Sequence, residues 1–149
     1  MTQDQAIQVL KMGATTFLTG EGGSGKTHTI NVYKQYLEEN DIPYAVTAST
    51  GIAATHIDGM TIHSFCGIGI KEEVTKADLD AIATKPHIVR QVARCKVLII
   101  DEISMLPAHT LDNVEKIISH LKGNFMDGSY FGGMQVIFVG DFYQLPPIS

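Results

Sequence analysis

Apolar positions along the chain alternate between a helical and a strand period. Gln3 to Met12 groups Ala6, Ile7, Val9 and Leu10 on one side, as an amphipathic helix does, and Gly13 closes it. Thr15-Thr16-Phe17-Leu18-Thr19 reads as a buried strand. From Lys26 to about Glu39, Ile30, Tyr33 and Leu37 recur at helical spacing, which predicts a helix facing a sheet. Asn40-Asp41 and Pro43 turn the chain into a second strand, Tyr44 to Ala48. Ser49-Thr50-Gly51 follows, and Ile52-Ala53-Ala54 has the look of a helix opening. After a turn at Asp58-Gly59 comes Thr61 to Phe65, which, if extended, puts His63 and Phe65 on one face. Residues 71 to 94 are polar, mixed in charge and interrupted by Pro86, with short helices expected at Asp78–Thr84 and His87–Ala93. Their charges read as a solvated flank.

The run Lys96-Val97-Leu98-Ile99-Ile100-Asp101-Glu102 is apolar enough for a strand covered on both faces. Pro107 to Lys122 carries a stripe of Leu111, Val114, Ile117, Ile118 and Leu121, stopped by Gly123. Met134 to Gly140 is a fourth strand, preceded by Gly132-Gly133. Four strands alternating with helices predict an α/β fold: a mainly parallel, doubly wound sheet between two helix layers. Ligands in such folds sit at the carboxyl ends of the strands.

Composition narrows the picture. With 149 residues, 44% hydrophobic and 18% charged, the chain is expected to form one domain with a real core. No apolar run is long enough to span a membrane, and Met1-Thr2-Gln3-Asp4 shows no basic cluster of a secretory signal. Cys66 and Cys95 lack metal-type spacing, so reduced thiols in a cytosolic-type compartment, or a nuclear or mitochondrial one in a eukaryote, are expected. The net charge of −5 excludes a broad basic face gripping duplex DNA. Any nucleic-acid contact must be narrow and local. No repeat or low-complexity segment is present.

Candidate chemistry begins at Gly20-Glu21-Gly22-Gly23-Ser24-Gly25-Lys26-Thr27, which fits the phosphate-binding pattern G-x-x-x-x-G-K-[ST]. Its glycines let the backbone turn N–H groups onto phosphate oxygens. Lys26 would place an ammonium on the β- and γ-phosphates of ATP, and Thr27 would give a hydroxyl to Mg²⁺. The helix after the loop would aim its positive end at the same anion. Asp101 and Glu102 arrive together at a strand tip. Asp101 would hold Mg²⁺ through water, and Glu102 would orient and deprotonate the attacking water; a helix-capping pair is the plainer alternative. Gln144 lies just past the fourth strand, well placed to sense the γ-phosphate.

Other positions stay open on local sequence. Gln3 is either an adenine reader or a solvated glutamine. Ser49-Thr50-Gly51 is either a phosphate contact for a nucleic-acid strand or a helix cap. His63 and Phe65 either stack on bases or divide between surface and core. Residues 47 to 70 contain no Lys or Arg, so a strand bound there would be held by neutral donors and stacking.

Several separated segments then agree. Phe17-Leu18-Thr19-Gly20 runs into the phosphate loop, and Thr47-Ala48-Ser49-Thr50-Gly51-Ile52-Ala53-Ala54 and Thr61-Ile62-His63-Ser64-Phe65 follow. Leu98-Ile99-Ile100-Asp101-Glu102-Ile103-Ser104-Met105 is the next match. Phe131-Gly132-Gly133-Met134-Gln135, leading to Gly140-Asp141-Phe142-Tyr143-Gln144-Leu145-Pro146-Pro147, is the last. From about Gln3 to Ile148 the chain resembles the first, RecA-like motor domain of superfamily-one helicases of the Pif/RecD type, the Pif branch more closely.

The resemblance implies a P-loop NTPase fold and ATP-driven 5′-to-3′ translocation on single-stranded DNA with duplex unwinding. It implies that Gln3 reads adenine and that Lys26 and Thr27 bind phosphate and Mg²⁺. Asp101 and Glu102 become metal holder and base, and Gln144 couples the γ-phosphate to movement. Ser49, Thr50, Gly51, His63 and Phe65 are expected along the single-stranded DNA track. Such helicases carry a second motor domain with arginine fingers, and nothing in these residues corresponds to it. The chain by itself is therefore expected to turn ATP over slowly and not to unwind DNA. A small-molecule P-loop kinase and an ATP-regulated module that never hydrolyses are the competing classes.

Overall fold

A computed structural model describes residues 2–19, 24–69, 73–123 and 129–140. The elements in chain order are α1 (Gln3–Lys11), β1 (Thr16–Leu18), α2 (Ser24–Glu39), β2 (Tyr44–Ala48) and α3 (Gly51–His56). Then come β3 (Met60–Thr61), α4 (Ile62–Cys66), α5 (Lys76–Ile82), α6 (Pro86–Arg94) and β4 (Val97–Asp101). A 3-10 turn (Ile103–Met105), α7 (Ala108–Lys122), a second 3-10 turn (Tyr130–Gly133) and β5 (Gln135–Val139) complete the described chain.

The sheet is parallel throughout, in the order β1-β5-β4-β2-β3. Alternation along β4 and β5 assigns each side chain to one of two cores. Leu98, Ile100, Val136 and Phe138 meet α4, α6 and α7 on one face. Val97, Ile99, Ile137 and Val139 meet Ala6 and Leu10 of α1 and Tyr33 and Leu37 of α2 on the other. This is the three-layer α/β arrangement that the strand–helix alternation predicts.

The central strands match their sequence signals closely, because four consecutive apolar residues can all be buried only in a sheet covered on both sides. Two expectations need correction. Phe17 is not buried but 58% exposed. Among the described strands β1 pairs only with β5, so it is an edge, and Phe17 stacks on Phe138 without being covered. Thr61 is extended, but residues 62 to 65 are not. The Thr61 side chain accepts the Ser64 N–H, and Ile62, Phe65 and Cys66 turn inward at helical spacing. Gly67, at φ 70°, ends α4. The two-residue β3 that precedes it is a fifth strand that the sequence pattern does not suggest.

Buried polar groups tie the layers together. Thr47 Oγ1 donates to the Ile99 carbonyl at 2.7 Å, beside the β2–β4 ladder. Phe131 and Gly132 both adopt left-handed backbone to swing the chain into β5. A side chain at Gly132 would collide with Lys122, so the glycine is required there. Glu115 accepts the Phe131 N–H and Ser119 the Gly132 N–H, which fixes this turn onto α7. Cys66 and Cys95 are buried, and burial pushes both thiols upward, Cys95 to about 11. No helix among the described residues is long and apolar enough to cross a membrane.

Candidate active site

Because the strands are parallel, Leu18, Ala48, Asp101 and Val139 all end at one edge of the sheet. α2 leaves from the same edge after β1. A cleft of about 570 Å³ opens there, within the range of small-molecule sites. Lys26 and Thr27 from the first turn of α2 line it, together with Asp101 and Glu102 from the end of β4 and Gly140 from the end of β5. Residues some 75 positions apart in sequence thus share one wall-to-wall crevice, a separation roughly spanned by the β2 and α3–α6 crossover. A second cavity of about 420 Å³, between α7 and Tyr130, contains none of the sequence-predicted residues.

The residues fit a magnesium–nucleotide. Thr27 and Asp101 supply a hydroxyl and a carboxylate to one cleft. Among the described residues no cluster of three or more His, Cys, Asp or Glu could cage a metal alone. That donor set suits Mg²⁺, which takes one or two protein oxygens and completes its shell with phosphate and water. Gly20, Gly22, Gly23 and Gln144 lie outside the described residues, and of Ser24 only its place as the first residue of α2 is described.

Gln3 is held against the loop's exit: a Cβ added to Gly25 would sit 3.4 Å from Gln3 Nε2. Two devices put it there. Thr2 and Gln5 form a reciprocal capping box that starts α1 at Gln3. Gln135 then anchors the other end, its Nε2 donating to the carbonyls of Leu10 at 3.0 Å and Ala14 at 2.9 Å. The Tyr33 hydroxyl donates to Gln135 Oε1 at 2.8 Å and lies 2.9 Å from the Leu10 carbonyl. Burial raises the Tyr33 pKa, partly offset by that bond to Gln135. The residue pattern puts Tyr33 on the sheet-facing side of its helix and Gln135 at the head of a strand but does not give either this anchoring role; its one signal is a glutamine heading an otherwise apolar strand.

Glu102 has an unusual backbone. It sits at φ 54°, ψ 45°, left-handed space that a non-glycine residue rarely takes. Such conformations cost on the order of 1–3 kcal/mol and persist where the surroundings over-determine them. Here its N–H donates to Asp101 Oδ1 at 2.8 Å. Its carbonyl accepts from Ser49 Oγ at 2.8 Å and from the Met105 N–H at 3.0 Å. The Ser49 N–H also donates to the Asp101 carbonyl at 3.2 Å, and Thr50 Oγ1 lies 3.4 Å from Glu102 Oε2. The carboxylate itself belongs to an exposed residue at the cleft.

The segments expected to touch nucleic acid divide. Thr50 caps α3, its side chain accepting the Ala53 N–H at 3.2 Å, and Gly51 is exposed beside it. Ser49 is only 9% exposed, with its hydroxyl committed to Glu102. His63 is half-buried on α4. Phe65 is 1% exposed in the core of the α4–α6–α7 face. Its expected place on a DNA track is corrected: two residues along a helix turn about 200°, so His63 and Phe65 cannot share a face.

Comparison with known proteins settles the lineage of the chain. The family model described as PIF1-like helicase matches residues 3–149. The chain belongs to the PIF1-like helicase family. It is 50% identical over 149 residues to an ATP-dependent DNA helicase Pif1 of Psychrobacter, covering all of this chain and 22% of that protein. The crystal structure of Pif1 helicase from Candida albicans superposes with a TM-score of 0.85 at 36% identity, over 99% of this chain and 33% of that one. A Bacteroides Pif1 helicase solved with ADP-AlF3 and single-stranded DNA gives a TM-score of 0.76 at 31% identity, over 99% and 33%. The chain thus spans between a fifth and a third of these relatives, and its fold is their RecA-like α/β fold.

Proposed function

We propose that this PIF1-like chain is the ATP-binding motor domain of a 5′-to-3′ DNA helicase that translocates on single-stranded DNA. The observation that carries the proposal is the convergence of Lys26, Thr27, Asp101 and Glu102 on one cleft. A relative of the same fold is described in complex with a nucleotide–metal fluoride and single-stranded DNA, which supports both ligands. The kinase alternative has no such support.

In this reading Lys26 neutralises the β- and γ-phosphates, and Gln3 holds the base end of the nucleotide beside Gly25. Bound Mg²⁺, held by Thr27 and through water by Asp101, would polarise the phosphates and orient them. Glu102 accepts a proton from water as that water attacks the γ-phosphorus, and ADP leaves on the opposite side. The sequence motif assigns the glycines at 20, 22 and 23 to the phosphates and Gln144 to sensing the γ-phosphate. Thr50, Gly51 and His63 form the nucleic-acid track, a short neutral one consistent with the absence of Lys and Arg from residues 47 to 70. A second motor domain would close the cleft and supply arginine to the γ-phosphoryl group under attack.

The test is ATP turnover by the full-length protein with and without oligo-dT. Stimulation by the single strand is expected. Turnover that no single strand changes would exclude the helicase reading.

A further inference from the structure

Ser49 looks from sequence like part of a strand-end segment that meets nucleic acid, but the structure gives its hydroxyl other work. Its Oγ donates to the Glu102 carbonyl at 2.8 Å. Its N–H donates to the carbonyl of Asp101. The residue is nearly sealed from solvent. The peptide it grips follows Glu102, which with Asp58 is one of two non-glycine cleft residues in left-handed backbone, a geometry that would relax if its hydrogen bonds were removed.

We infer that Ser49 is a positioning residue for Glu102: its hydroxyl locks the left-handed turn that presents the Glu102 carboxylate to the cleft. The inference rests on the reading of the cleft as an ATP-hydrolysing site. Ser49 touches neither nucleotide nor water in this account. It acts through one peptide group, sharing that carbonyl with the Met105 N–H. It also makes β2, whose exit continues into Thr50 and Gly51, mechanically continuous with the base at the end of β4.

The experiment is steady-state ATP hydrolysis by the full-length protein carrying Ser49→Ala, Ser49→Thr, Glu102→Gln, or Ser49→Ala with Glu102→Gln. Ser49→Ala is expected to lower kcat at saturating single strand by about tenfold or more, with KM for ATP and half-saturating oligo-dT within about twofold of wild type. Ser49→Thr, which keeps the hydroxyl, restores most of kcat. The double variant turns over no more slowly than Glu102→Gln alone, because the two residues act as one unit. Unchanged kcat in Ser49→Ala overturns the inference, as does a loss that multiplies with that of Glu102→Gln. Weakened oligo-dT affinity at full kcat overturns it in favour of a direct nucleic-acid contact. If Ser49→Ala does not fold, Ser49→Cys, close in size and a poor donor, carries the same expectations. Wild-type protein without strand-stimulated turnover would sink the underlying reading, a result distinct from stimulated turnover that Ser49→Ala leaves untouched.

Discussion

On one side of the sheet, Leu98, Ile100, Val136 and Phe138 are sealed beneath α4, α6 and α7. On the other, Ile99 and Val139 begin in the α1–α2 core and end in the wall of the cleft. The two faces come from the same strands, one residue out of phase, yet they serve different ends. The closed face is buried apolar surface and contributes to stability. On the open face the side chains at the carboxyl edge, together with Lys26, Thr27 and Ile30 of α2, line a cleft and are available for chemistry. Substitutions on the closed face should therefore change stability without touching ligands, and substitutions at the open edge should do the reverse.

The largest expected effect is at the open edge. Glu102→Gln removes the proposed base while keeping the side-chain shape, and should cut kcat by about 10²–10⁴-fold. Nucleotide affinity, read by fluorescent-analogue titration, should stay near wild type. Near-normal turnover would take Glu102 out of the base role. Phe65→Ala probes the closed face. Deleting a fully buried ring there should cost about 3–5 kcal/mol in urea unfolding. Single-strand affinity, measured where the variant is folded, should not change. A small stability loss with weakened strand binding would return Phe65 to the DNA track. The smallest effect is expected at the start of β5, where Gln135 holds the end of α1. Gln135→Leu removes one donor from each of the Leu10 and Ala14 carbonyls, which keep the Gly13 N–H and the Thr16 hydroxyl, and should cost about 0.5–1.5 kcal/mol. Because α1 carries Gln3, nucleotide affinity should also fall, by less than about tenfold. A stability loss with unchanged affinity would separate Gln3 from the nucleotide.

Much of this was legible in the residue pattern. Unbroken apolar runs mark β4 and β5, the turn at Asn40 to Pro43 marks the start of β2, and the glycine-rich loop with its acidic strand tip points to phosphate chemistry. What the pattern hid was local and hydrogen-bonded. The Thr61-to-Ser64 cap outweighs the extended reading of residues 61–65, because Ile62, Phe65 and Cys66 bury better on a helix. The exposed edge position of β1 depends on strand order, which no single strand announces. The left-handed Glu102 and the role of Ser49 depend on two chain segments meeting after folding, so neither leaves a one-dimensional signature.

The most direct test of the central claim is calorimetric titration of the chain with a magnesium–ATP analogue that is not hydrolysed, for wild type and for Lys26→Ala, with unfolding curves of both. Binding by wild type that is lost in an equally stable Lys26→Ala protein is the predicted result. Equal affinity in the two proteins would place the nucleotide somewhere other than the cleft shared by Lys26, Thr27 and Asp101.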